Sequence, residues 1–229
     1  MNGNYPLELF IELSDSTEPG AASEVEQWVQ GVHLPALVSS EWVTEPGQVY
    51  RNVLTEPAVG QGRFLTISPA DRWDIDSIAD VIEEELQPAW RAAGELDERF
   101  APIWGDCYRM CGPTMRPSSS PFVTERTGSA PVTAIMVLQS SCPRANENEL
   151  NRWYNRVRVP ELVAAGPFHT GYRYCSCRFA DPKRRFLQIF ETDAANPAAE
   201  IEQFMADWRP DSVEPPFAED LGISIFSPV

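Results

Sequence analysis

The stretch Trp153-Tyr154-Asn155-Arg156-Val157-Arg158-Val159-Pro160-Glu161-Leu162-Val163 has an earlier echo in Trp28-Val29-Gln30-Gly31-Val32-His33-Leu34-Pro35-Ala36-Leu37-Val38. Trp28, Val32, Leu34-Pro35, Leu37 and Val38 recur as Trp153, Val157, Val159-Pro160, Leu162 and Val163, every pair displaced by 125 positions. Self-similarity at a fixed offset is the signature of a duplicated structural unit. The chain therefore reads as two copies of one unit, and the patterns flanking each stretch say which unit it is.

Ahead of the first copy, Leu7, Leu9, Ile11 and Leu13 alternate with Glu8 and Glu12, as in a half-buried strand with the glutamates on the outer face. Ser23 with Glu26 three residues on has the form of a capping box before the apolar stripe Val25, Trp28, Val29 and Val32. Pro35 lacks an N–H and crowds the preceding turn, which predicts a break or restart of this helix and a short helical turn over 35–38. Strands are predicted over 49–54 and 63–67, a helix over 76–86 with its acidic run solvated, and a fourth strand over 104–111. The order is β-α-β-β-α-β. An aperiodic stretch rich in Pro, Ser, Thr and Gly then reads as a linker. Beyond it the order returns: strand 132–139, helix 148–157, strands 172–177 and 185–190, helix 198–208 and strand 222–226. The third strands even read alike, as Arg63-Phe64-Leu65-Thr66-Ile67 and Arg185-Phe186-Leu187-Gln188-Ile189.

A β-α-β-β-α-β unit is the ferredoxin-like split βαβ, an antiparallel sheet with both helices on one face. Its bare face needs a cover, and two tethered copies can supply it to each other. The expected fold class is α+β: two tandem ferredoxin-like units packed sheet to sheet as an intramolecular α/β-barrel. The expected domains are a first unit over 1–112, a linker over 113–131 and a second unit over 132–229.

Trp153-Tyr154 followed by Arg158-x-Pro160 and Phe168, and Trp28 followed by His33-x-Pro35, resemble the motif of the dimeric α/β-barrel superfamily. The resemblance is to its EthD-like and small polyketide cyclase and dehydratase group, here as a tandem fused pair. That motif is an aromatic pair, then His-x-Pro, then a Gly-Phe-like turn into the second strand. Proteins of this kind include cofactor-free cyclases, dehydratases, isomerases and monooxygenases, and some haem proteins, so the resemblance speaks to fold more than to chemistry.

Composition narrows the function. With 43% hydrophobic residues among 229, the chain can bury a sizeable core. No basic region followed by an apolar run opens it, and no stretch nears the roughly 18 apolar residues of a membrane span, so a soluble, cytoplasmic protein is expected. Cys107, Cys111, Cys142, Cys175 and Cys177 form no zinc-like knuckles, and their odd number argues against a complete disulfide framework. Cys175 and Cys177 are expected to pack on one strand face. A net charge of −16 disfavours nucleic acid and anionic membranes as partners. Between Arg152 and Arg185, however, eight basic residues face two acidic ones, a local +6 against −22 elsewhere. That stretch either meets an anionic ligand or faces the acidic first copy.

Only two histidines occur, His33 and His169. His33 stands at the family's histidine position, and an imidazole titrating near neutrality would exchange a proton with a carbonyl compound in a cleft between helix and sheet. The alternative is a helix-end histidine bonding a nearby carbonyl or water. In the second copy Arg158 takes this place, a departure from the family pattern. An arginine stays protonated and cannot serve as a base, so the two clefts are not expected to be equally active. Arg158 either anchors an anionic group or pairs with a neighbouring acid. His169 would close one end of a cleft or lie on the surface, with Tyr172 and Tyr174 offering phenols from one strand face. Tyr50 is expected to point towards His33 and polarise a substrate oxygen, with Trp28 and Trp42 as apolar walls and Tyr154 as polar lining.

With the resemblance, these residues imply a cofactor-independent lyase or cyclase, catalysing dehydration, cyclisation or isomerisation of a polyketide-like or aromatic carbonyl compound in specialised metabolism. His33 and Tyr50 would be catalytic. A cofactor-free monooxygenase and a non-catalytic binding or assembly protein are the alternatives. No dinucleotide fingerprint, nucleophile elbow or phosphate loop occurs, and two separated histidines make a poor metal site, so no cofactor or metal is expected. The expected partner is a small molecule, and the expected assembly a monomer acting as a pseudo-dimer, or a homodimer.

Overall fold

A computed structural model of the chain describes residues 7–53, 62–70, 75–112, 131–178, 185–209 and 213–229. They form two compact units, one running to Arg109 and taking in Pro228–Val229, the other Met110–Ser227. The expected linker lies outside the described residues, except for Pro131. No helix among the described residues is long and apolar enough to cross a membrane.

In the first unit the strands are β1 (Glu8–Ser16), β2 (Gln48–Asn52), β3 (Phe64–Pro69) and β4 (Phe100–Met110). Their order is β4-β1-β3-β2, antiparallel throughout. Two helical arms connect them. The first is α1 (Ala22–Trp28), a π turn at Val29–His33 and α2 (Leu34–Ser39); the second is α3 (Ile75–Val81), a π turn at Ile82–Leu86 and α4 (Gln87–Ala93).

The second unit repeats the plan. Its strands are β5 (Ala134–Ser141), β6 (Thr170–Ser176), β7 (Phe186–Thr192) and β8 (Glu219–Pro228), in the order β8-β5-β7-β6 and again antiparallel. Between β5 and β6 run α5 (Glu147–Trp153), a π turn at Tyr154–Arg158 and α6 (Val159–Ala165), and α7 (Pro197–Asp207) precedes β8. Even the register shifts correspond, between Leu13 and Ser14 in β1 and between Gln139 and Ser140 in β5. The α+β class and the twice-repeated β-α-β-β-α-β order are those expected of the repeat.

Three local expectations are corrected. The short helical turn expected over 35–38 is α2, but Pro35 restarts the helix and does not break it, because the π turn before it carries the chain through: the Leu34 N–H reaches back to Val29 O, and the proline enters at the start of α2, where no N–H is needed. The helix expected over 76–86 likewise continues past Pro88 to Ala93. Ser23 does not cap α1, whose N-cap is Ala21 and which has no side-chain cap; Glu26 is instead buried and accepts from Arg51 Nε at 2.8 Å.

One more correction shapes the site. Glu12 is not on a solvated face but is 1% exposed. The register places Glu12 beside Thr66, and Thr66 beside Val49, on one sheet face. The alternate residue Arg51 on that face binds Glu26 of α1, so this is the side the helices cover.

Candidate active site

Inside the first unit a buried polar cluster joins the sheet to both helical arms. His33, the last residue of its π turn, is 1% exposed, and its Nε2 lies 2.6 Å from Glu12 Oε2. The other carboxylate oxygen, Oε1, accepts from Gln87 Nε2 at 3.2 Å. Gln87 comes immediately after the second π turn. Such turns add a residue to the helical ladder, rotate the residues beyond them and recur at functional sites. The His33 ring is set among aromatics: Trp28 stacks on it at 5.3 Å, Phe100 tilts against it at 5.0 Å and Trp90 presents an edge at 5.8 Å. Its Nδ1 is buried without a hydrogen-bond partner.

A pocket opens on this cluster from the Glu12 side. Glu12, Gln87, Glu83, Phe10, Ile82 and Trp104 line it with Ala79, Pro102, Ile103 and Gly105, around about 390 Å³ of empty space, part of it open solvent. Gly105 stands directly across from Glu12 in the β1–β4 register, and a Cβ there would meet the Phe10 ring at 3.1 Å. The missing side chain leaves room beside the carboxylate. His33 does not line the pocket and meets it only through Glu12. Of the His33–Glu12 pair, the group able to exchange a proton with a bound molecule is therefore the Glu12 carboxylate, with His33 behind it and Gln87 at its flank.

The remaining expected site residues do not gather here. Tyr50 pairs with Leu65, and Leu65 with Leu13, so Tyr50 lies on the sheet face opposite Glu12 and does not point towards His33. Trp28 is the stacking partner of His33, and neither it nor Trp42 lines the pocket, whose aromatic residues are Phe10 and Trp104.

In the second unit, Arg158 ends its π turn as His33 does, but its guanidinium lies over Trp208 at 4.2 Å and Trp153 at 5.8 Å. The register equivalent of Glu12 is Leu138, which pairs with Gln188 as Glu12 pairs with Thr66. The second unit thus has neither member of the carboxylate–imidazole pair. Tyr154 is fully buried, edge-on to Trp153 at 5.0 Å. Tyr172 and Tyr174 share a strand face, as their spacing implies. The Tyr172 hydroxyl donates to Glu191 at 3.3 Å, and burial pushes the Tyr174 phenol well above its ordinary range. His169 Nδ1 lies 2.9 Å from Thr170 Oγ1 and 4.0 Å from Glu191.

Glu12, Gln87, Trp104 and Gly105 are not singled out by the sequence as site residues. One sign was available: Phe10 shares a strand face with Glu8 and Glu12, and a large aromatic there indicates cover.

No family model matches the chain, and no curated protein matches it in sequence. Solved structures do. An anthrone oxidase-like protein superposes with a TM-score of 0.57 at 8% identity, covering 98% of this chain and 92% of that one. The encapsulated DyP-type peroxidase of Mycobacterium smegmatis gives 0.55 at 10% identity, covering 98% and 94%. A mutant chlorite dismutase of Candidatus Nitrospira defluvii gives 0.51 at 8% identity, covering 97% and 90%. The chain has the fold of the dimeric α+β barrel, ferredoxin-like proteins.

Proposed function

We propose that the first unit is a cofactor-independent enzyme that moves a proton on a small, uncharged aromatic molecule bearing a carbonyl group. The observation carrying this reading is the Glu12 carboxylate, buried, held by His33 and Gln87, and facing a pocket lined by Phe10, Ile82 and Trp104 as well as by Glu83 and Gln87. A carboxylate out of bulk water, beside a group that can share its proton, suits abstraction of a proton from carbon next to a carbonyl. Glu12 accepts the proton, His33 positions the carboxylate and shares the hydrogen bond, and the second N–H of Gln87 is available to a substrate oxygen. Tyr50, on the far sheet face, has no part in this step.

The pocket also restricts the substrate. Glu12 and Glu83 line it and, among the described residues, no basic side chain does, so carboxylates, phosphates and carrier-bound substrates are disfavoured. A small uncharged molecule with an acidified C–H suits this lining. From the enolate that proton loss produces, dehydration, cyclisation or isomerisation gives the lyase or cyclase activity.

A cofactor-free oxidase is the second reading, favoured by the likeness to an anthrone oxidase-like protein. It shares the first step and differs in the fate of the carbanion, which passes electrons to oxygen. A haem does not suit this site, because His33 Nε2 is taken by Glu12 and the ring is enclosed by Trp28, Phe100 and Trp90.

Anthrone in deuterated buffer tests both readings. Without oxygen, the protein is expected to speed deuterium uptake at the acidic methylene, and Glu12→Gln to lower that rate by about 10²–10⁴-fold. In air, oxygen consumption coupled to exchange selects the oxidase, and exchange without consumption the lyase or cyclase class. Binding of anthrone with no acceleration of exchange would leave a binding protein and remove the proposal.

A further inference from the structure

The thiols around Arg173 in the second unit take no part in that chemistry, and a role for them stands or falls independently of it. Arg173 sits in β6 on the helix-facing side and is 1% exposed. Its Nη1 donates to Asn155 Oδ1 at 3.3 Å, and its guanidinium lies over the rings of Tyr154 and Phe186 at 4.9 and 4.8 Å. Nε and Nη2, the side-on edge of the fork, are buried without a hydrogen-bond partner. An arginine keeps its proton in a protein, and a buried cation needs negative charge nearby. The titratable groups around it are Cys111, Tyr154, Cys175 and Cys142, none of them a carboxylate.

Two of those thiols are neighbours. The Cys111 N–H donates to Arg173 O at 2.9 Å, which seats Cys111 beside β6, and Cys175 lies two residues beyond Arg173 on the same strand face. Their side chains are within hydrogen-bond reach of each other, and both are partly exposed while Arg173 is sealed. Gly112 lets this segment come close, since a Cβ there would lie 2.5 Å from Asn155 Oδ1 and 3.2 Å from Arg173 Cβ.

We propose that Cys175 and Cys111 form an arginine-backed thiolate–thiol pair, a nucleophilic and redox-active site whose co-substrate is a hydroperoxide. The charged groups facing it agree. The Cys111 S–H donates to the Cys175 sulfur, and with Arg185 and Arg173 this holds Cys175 down to about 7 against burial and Glu147. Cys111, as that donor and by burial, is pushed well above the ordinary thiol range. Cys142, near the same arginines, is raised by burial and Glu147.

In the reaction the Cys175 thiolate attacks the peroxide oxygen, the O–O bond breaks, and the alkoxide or hydroxide leaves and takes a proton from water. Cys175 becomes a sulfenic acid. Cys111 then attacks its sulfur and expels water, leaving a Cys111–Cys175 disulfide. Two thiols and one hydroperoxide give one disulfide, one alcohol (water, for hydrogen peroxide) and one water.

Reduced full-length protein is pulsed with iodoacetamide from pH 5 to 9 and mapped by mass spectrometry. Cys175 is expected to alkylate first, with a midpoint near 7 and a rate at neutral pH about tenfold that of an unperturbed cysteine peptide. One equivalent of hydrogen peroxide should join the Cys111 and Cys175 peptides with a loss of about 2 Da, and Cys111→Ser should leave a Cys175 sulfenic acid that dimedone traps. Arg173→Met should raise the alkylation midpoint; if that variant does not fold, the wild-type profile decides. A Cys175 midpoint at the ordinary thiol value, or peroxide oxidation without a Cys111–Cys175 bond, would overturn the proposal.

Discussion

Glu12 is tolerated in the interior because each carboxylate oxygen has a partner, His33 on one and Gln87 on the other. Removing one partner of a buried charged pair leaves the other uncompensated, which typically costs about 3–5 kcal/mol. His33→Ala is therefore expected to lower the unfolding free energy by about 3 kcal/mol in urea titrations. Arg109→Ala, which removes an ion pair to Glu8 on an arginine that is 54% exposed, should cost under about 1 kcal/mol. If the two cost the same, the Glu12–His33 contact is not a structural anchor. At this scale the sequence revealed only half of the pair. His33 was legible as a lone histidine before a proline. Its partner is 21 positions away on a strand, and no spacing rule connects a helix end to the strand it packs on.

At the level of elements, the three π turns among the described residues share a grammar: Val29–His33 before Pro35, Ile82–Leu86 before Pro88, Tyr154–Arg158 before Pro160. Each takes up the lost proline hydrogen bond in a wider turn, so the helix continues where local rules alone would end it. The same turns bring His33 and Gln87 to Glu12, linking helix irregularity to the site. Strand alternation was easier to read, because side-chain period two survives any packing. Helix-on-sheet contact is tight enough to test at Gly171, where a Cβ would meet Val159 Cγ1 at 3.0 Å, Val163 Cγ2 at 3.1 Å and Phe190 Cδ1 at 3.2 Å. Gly171→Ala must push α6 from β6, and a destabilisation of about 1–3 kcal/mol is expected from the denaturation midpoint. An unchanged midpoint would show that α6 rides more loosely on β6 than these distances say.

Across the whole molecule the two copies keep one fold and diverge in chemistry. The first keeps Glu12 and His33; the second has Leu138 and Arg158 at those places and collects its polar groups around Arg173 and the thiols. The consequence is separability. Trp208→Leu, which removes the ring under Arg158, is expected to cost roughly 1 kcal/mol of stability, the scale of a cation–π contact, and to leave anthrone exchange within about twofold. Exchange falling in step with Glu12→Gln would instead place the second unit in the active site. The duplication and the β-α-β-β-α-β order were determined by the sequence alone, because offset repeats and strand alternation are carried by neighbouring residues within each segment. Only the tertiary structure decided that Glu12 faces inward, that it meets His33 while Tyr50 turns away, and that Cys111 reaches Cys175. Which strand face is covered, and which side chains meet there, depends on packing between segments far apart in the chain.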